Sequence, residues 1–112
     1  MARPTKFEIK DGRSGSGVMV SIAGELDLST AETLSEHVDQ HLSAGVTDLT
    51  LDLGEVAFMD STGLRLLIEL NDRSQQQAWR LRLRPPKHDE AALVLQATGA
   101  DTALPFVSGR DE

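Results

Sequence analysis

Two short segments alternate apolar and polar residues without interruption, and the stretch between them follows helical spacing instead. In 48–53, Leu49, Leu51 and Leu53 alternate with Asp48, Thr50 and Asp52; in 79–84, Trp79, Leu81 and Leu83 alternate with Arg80, Arg82 and Arg84. A period of two describes a strand with one buried and one wet face, whereas a strand covered by helices on both sides would read as continuously apolar. Between the two, Leu64, Leu66, Leu67, Ile68 and Leu70 form a broad apolar arc that predicts a helix from residue 61 to about 74, with no glycine to stop it. Strand, helix and strand in this order join parallel neighbours by a right-handed crossover, which puts successive crossover helices on one face of the sheet.

The upstream sequence extends this pattern. Phe7 and Ile9 alternate with polar neighbours, "DGRSGSG" (11–17) supplies a turn, and Val18, Val20 and Ile22 alternate again, so a hairpin is expected at the sheet edge, its second strand closed by Gly24. Ser29 stands three residues before Glu32 in the capping-box arrangement, and Ala31, Leu34, Val38, Leu42 and Gly45 follow along one helical face, with Gly45 as the stop. Downstream, "PP" at 85 and 86 ends the arginine-bearing strand, a third helix is expected over 89–97 with Gly99 behind it, and "ALPFV" supplies a short strand or tail. The expected fold is α/β in two layers: a mixed sheet of four to five strands led by the N-terminal hairpin, with helices packed mainly on one face. The 112 residues suit one domain spanning 1–112, and a chain of this size buries roughly two-thirds of its unfolded surface.

It must hold together by that core, because there is no cysteine; disulfides and thiolate metal sites are excluded. Eleven basic against eighteen acidic residues give a formal charge of −7, which repels phosphate backbones and argues against nucleic acid as a partner. The first residues have no apolar core of a signal peptide, and the longest apolar run, Ala91 to Leu95, is far shorter than a membrane span, so a cytoplasmic protein is expected.

One stretch does not fit simple alternation. In "EVAFMDSTGL" (55–64) a buried apolar approach over 56–59 is expected to run into Asp60, Ser61 and Thr62 at the start of the second helix, where unpaired amide donors need oxygen acceptors. Any of the three could cap the helix, and Gly63 permits close packing. Ser61 also sits near the positive end of the helix dipole, so the fold tolerates a phosphate there. A partner docking over the same spot meets an added charge of roughly −1.5 to −2 beside Asp60.

"GELDLSTAETL" (24–34), followed by "LDLGEVAFMDSTGLRLL" (51–67) and "LQATGADTALPF" (95–106), resembles the STAS domain, found in sulfate transporters and in bacterial anti-sigma factor antagonists. The resemblance implies an anti-anti-sigma phosphoprotein that works by partner switching in transcription regulation. Its unphosphorylated form binds an anti-sigma factor serine kinase, releasing a sigma factor; phosphorylation of the serine after the box aspartate, here Ser61, ends binding; and a metal-dependent serine phosphatase acts transiently to restore it. Asp60, Thr62 and Gly63 complete the box, while Asp27, Ser29 and Thr30 match a loop that joins the partner surface in that family. The resemblance implies no enzyme activity and no cofactor. A constitutive scaffold subunit of a signalling or lipid-transport complex is the alternative use of the same domain. The loop "DRSQQQAW" (72–79) lacks a glycine common in the family, and Trp79 is a large strand opener.

Other constellations are weaker. "MDSTG" is not the G-x-S-x-G of a hydrolase elbow, and His37, His41 and His88 have no spacing that would make one of them a base for Ser61. His37 and His41, four apart in "HVDQH", could share a metal, but the stretch lacks the glutamate of H-E-x-x-H and any obvious third ligand, and no metal site is expected. Arg80, Arg82 and Arg84 are expected on the wet face of the sheet opposite Asp48 and Asp52.

Overall fold

The computed structural model describes residues 6–107. In chain order the elements are β1 (Glu8–Ser14), β2 (Gly17–Leu26), α1 (Ala31–Ser43), β3 (Asp48–Met59), α2 (Ser61–Gln77), β4 (Arg80–Arg84), α3 (Asp89–Thr98) and the single turn α4 (Ala100–Ala103). The strands form one sheet in the order β1-β2-β3-β4. β1 and β2 pair antiparallel through a turn at Gly15 and Ser16, and β2–β3 and β3–β4 pair parallel. Gly15 takes φ +62°, the left-handed conformation that a two-residue hairpin turn requires. The turn is therefore tighter than "DGRSGSG" suggests, because β1 continues through Ser14.

Alternation places the core. Val20 and Ile22 of β2, Leu49, Leu51 and Leu53 of β3, and Leu81 and Leu83 of β4 are buried together with Leu34 and Val38 of α1 and Leu67 and Leu70 of α2. Each fully buried leucine contributes about 1.5–3 kcal/mol relative to exposure. The crossover helices share a face of the sheet: α1 and α2 touch, and Arg73 donates to Asp39 at 2.8 Å across their contact. β4 pairs with only the first half of β3, over 48–52. Beyond it, α3 packs against β3, and the Lys87 amide donates to the Gly54 carbonyl at 3.1 Å.

Several expectations need correction. Gly24 does not close β2, which runs on to Leu26, and Gly24 adopts φ +102° within the strand. β3 extends beyond the alternating stretch 48–53 to Met59, with two register shifts against β2, between Ser21 and Ala23 and between Gly24 and Glu25. Each shift adds one residue on β3, so its inward positions move from a spacing of two to a spacing of three: Leu53, Val56 and Met59 are buried, whereas Phe58 is 39% exposed. Thr50 is buried, not wet, flanked by Met19 and Arg82 on the adjoining strands. The helix α2 passes Ser74 and ends at Gln77, because Ala78 takes the left-handed conformation (φ +62°) usually left to glycine.

The arginine-bearing strand matches its expectation. Asp48 pairs in register with Arg80 and Asp52 with Arg84, and Arg82 reaches diagonally to Asp48 at 3.0 Å. "ALPFV" adds a single parallel bridge, Leu83 to Phe106, so the sheet has four full strands. Among the described residues, no helix is long and apolar enough to cross a membrane.

Candidate functional site

Parallel pairing of β2 and β3 brings the carboxyl ends of both strands to one edge of the sheet, where binding sites of parallel sheets form. Leu26 and Met59 are the last register pair, so the segments that follow, 27–30 and 60–63, leave the sheet side by side. The Asp60 amide donates to the Leu26 carbonyl at 3.3 Å and fastens them together.

The α2 entry resolves which oxygen caps the helix. Asp60 is the N-cap, with extended backbone, and its Oδ1 accepts the Gly63 amide at 3.0 Å. Ser61 is therefore the first helical residue, and it is exposed; Thr62 is half-buried and Gly63 buried. Gly63 is required by packing: a Cβ at this position would overlap the Leu26 carbonyl oxygen and lie 2.9 Å from the Leu26 Cγ.

The neighbouring loop is ordered by Asp27 in place of the expected Ser29–Glu32 capping box. Thr30 is the N-cap of α1 and makes no side-chain cap bond. Instead the Asp27 carbonyl accepts the amides of Thr30 (3.1 Å) and Ala31 (2.8 Å). The Asp27 Oδ1 accepts the Ser29 amide at 3.0 Å and the Ser29 hydroxyl at 2.7 Å. The hydroxyl of Ser29 is thus turned back to Asp27 and is not available to cap. Thr30 Oγ1 donates to the Glu25 carbonyl at 2.8 Å and accepts the Asp27 amide at 3.0 Å, closing the loop on the end of β2. The Ser29 hydroxyl bond outweighs the small effect of burial and, with the Ser29 amide and Thr30, holds the Asp27 carboxyl below its ordinary 3.8.

The seven residues singled out in the sequence thus fall on two adjoining segments: Asp27, Ser29 and Thr30 on one, Asp60, Ser61, Thr62 and Gly63 on the other. One neighbour went unnoticed. Leu28 projects from the first segment with 77% of its surface exposed, beside Asp27 and Ser29. Its signal was a leucine that extends the alternation of β2 past the end of the strand, which reads as part of the strand until the turn at Asp27 is known. His37 and His41 face Asp11, and the His88 Nε2 lies 3.6 Å from Glu55.

The anti-sigma-F factor antagonist RsfB of Mycobacterium tuberculosis is 30% identical over 76 residues, 68% of this chain, and the chain spans 62% of that relative's length. An anti-sigma factor antagonist from Mycobacterium paratuberculosis has the same fold, with a TM-score of 0.80 at 20% identity over 97% of this chain and 92% of that one. So does the Bacillus cell fate determinant SpoIIAA in its phosphorylated form, with a TM-score of 0.67 at 20% identity over 95% of this chain and 93% of that one. A family model described as "Mlab, STAS domain" matches residues 9–107, which contain the sheet but for Glu8, all the described helices and both site segments, and the chain belongs to the STAS domain family.

Proposed function

We propose that this STAS domain, residues 1–112, is an anti-sigma factor antagonist controlled at Ser61. The unphosphorylated form binds an anti-sigma factor serine kinase and so releases a sigma factor; phosphorylation of Ser61 ends binding, and a metal-dependent serine phosphatase reverses it. The protein acts in the cytoplasm as a binding partner and not as an enzyme.

The observation that carries this reading is the division of labour at the α2 entry. Asp60 supplies the cap, so the exposed Ser61 hydroxyl has no structural duty there. A phosphate at this position faces the amino end of a 17-residue helix, whose dipole offsets part of its charge, so the fold survives modification. The docking surface responds differently. Leu28 offers an exposed apolar anchor on the segment that leaves the sheet beside Asp60, and a partner docking over both segments has to desolvate or repel a dianion added at Ser61. The names of the relatives agree: RsfB is an anti-sigma-F factor antagonist, and SpoIIAA, of the same fold, exists in a phosphorylated form.

A second reading, a constitutive scaffold subunit of a signalling or lipid-transport complex, draws on the structural roles that Asp60 and Gly63 already fill. Size-exclusion chromatography of the chain mixed with the host's anti-sigma kinase separates the two. The switch predicts co-elution for the wild type and for Ser61→Ala and separation for Ser61→Asp; a scaffold with a different partner gives the same elution in all three.

A further inference from the structure

A second cluster lies away from the Ser61 surface, where the hairpin meets α1. Alternation along β1 sets Asp11 on the same face as Ile9, which packs against the core, so the Asp11 carboxylate stands over α1. His37 and His41, one helical turn apart on the same face of α1, present their rings to it. Asp11 Oδ1 lies 2.7 Å from His37 Nε2 and 3.1 Å from His41 Nε2. The rings stand edge to face, 5.2 Å between centroids at 70°. One ligand atom from each residue falls within 4.8 Å of the other two.

We propose that Asp11, His37 and His41 form a binding site for a divalent transition-metal ion, with Zn²⁺ the occupant whose geometry fits best. Two imidazole nitrogens and one carboxylate oxygen with water in the fourth position is a standard zinc ligand set. Ligand atoms about 2.0–2.1 Å from a tetrahedral zinc lie about 3.3 Å apart, so the observed 2.7 and 3.1 Å need to open by about 0.6 and 0.2 Å. The side chains are 26% (His37), 21% (His41) and 44% (Asp11) exposed, sheltered enough to be held and open enough to admit an ion and its water. A net charge of −7 raises the local concentration of cations. Ligation through Nε2 leaves the proton of each neutral ring on Nδ1, and three metal bonds replace the two contacts to Asp11. The ion would tie together segments 26 and 30 residues apart in sequence, fixing the hairpin to α1. The third ligand comes from that distance, which is why the pair in "HVDQH" looks incomplete on its own.

The test uses the full chain, stripped with a chelator and titrated with Zn²⁺ by calorimetry and with Co²⁺ by visible absorption. One equivalent should bind, Co²⁺ should show the intense bands of a tetrahedral site, and the His37 and His41 ring resonances should shift on zinc addition in the wild type. Asp11→Asn, His37→Gln and His41→Gln should each weaken binding roughly tenfold or more, with unchanged circular dichroism. No binding by the stripped wild type, or ring resonances that stay in place as zinc is added, overturns the proposal. Binding that survives Asp11→Asn at full strength overturns it too, since the site then has no third ligand.

Discussion

Gly63, in the first turn of α2, lies so near the end of β2 that a methyl group at its Cα would overlap the carbonyl oxygen of Leu26. The obstacle is backbone at the end of a central strand and cannot swing aside. Gly63→Ala should therefore destabilise the fold although alanine favours helix, by about 1–3 kcal/mol as an overpacked site. Thermal unfolding of the two proteins checks this, and an unchanged or higher Tm would contradict it.

Asp60 holds the α2 entry by accepting the Gly63 amide. Asp60→Ala leaves that amide without its acceptor and should cost about 0.5–2 kcal/mol, the usual range for a lost N-cap. Urea denaturation should show a lower midpoint with the slope unchanged. Ser61→Ala, which removes no cap, should leave the midpoint within about 0.5 kcal/mol of wild type.

Thr50 is 3% exposed, and its Oγ1 has no hydrogen-bond partner among the described residues. A buried hydroxyl without a partner carries a desolvation penalty of about 1–3 kcal/mol, and valine has nearly the same shape. Thr50→Val should stabilise the protein, read as a rise in Tm; a fall would mean that the hydroxyl is satisfied in solution.

The Asp27 carboxyl, held below 3.8 chiefly by the Ser29 hydroxyl, stabilises the 27–30 loop in its ionised form. With the folded value below the unfolded one, this contribution is fully present above pH 3.8 and is lost as pH falls through the lower folded value. An NMR titration of the Asp27 carboxyl carbon should give a midpoint under 3.8 that moves up in Ser29→Ala. A wild-type midpoint at or above that value would contradict the hydrogen-bonded loop.

Much of this architecture is legible in the sequence because its strands bury one face only. Leu49, Leu51 and Leu53, and Trp79, Leu81 and Leu83, announce their strands by alternation, and the arginines opposite the aspartates follow from parallel register. Reading fails where alternation does. The two register shifts on β3 move its inward residues to a spacing of three, so Val56 and Met59 no longer mark a strand by period and Phe58 is mistaken for core. The capping-box pattern at Ser29 is locally sound, but the Asp27 carboxylate competes for the same hydroxyl and wins through a two-residue reach. At Ala78 the left-handed cap carries no glycine to betray it. The site itself is half legible: spacing marks Asp60 to Gly63 as a helix entry, but only the fold selects Asp60 as the cap, sets Gly63 against Leu26 and leaves Leu28 exposed.

The dissociation constant for the host's anti-sigma serine kinase, measured before and after that kinase has phosphorylated the protein, bears most directly on the Ser61 switch. One phosphate should be found, on Ser61, with circular dichroism unchanged, and affinity should fall about a hundredfold or more, equivalent to about 3 kcal/mol. Phosphate on another residue, or affinity that stays within a few-fold once Ser61 is modified, would contradict it.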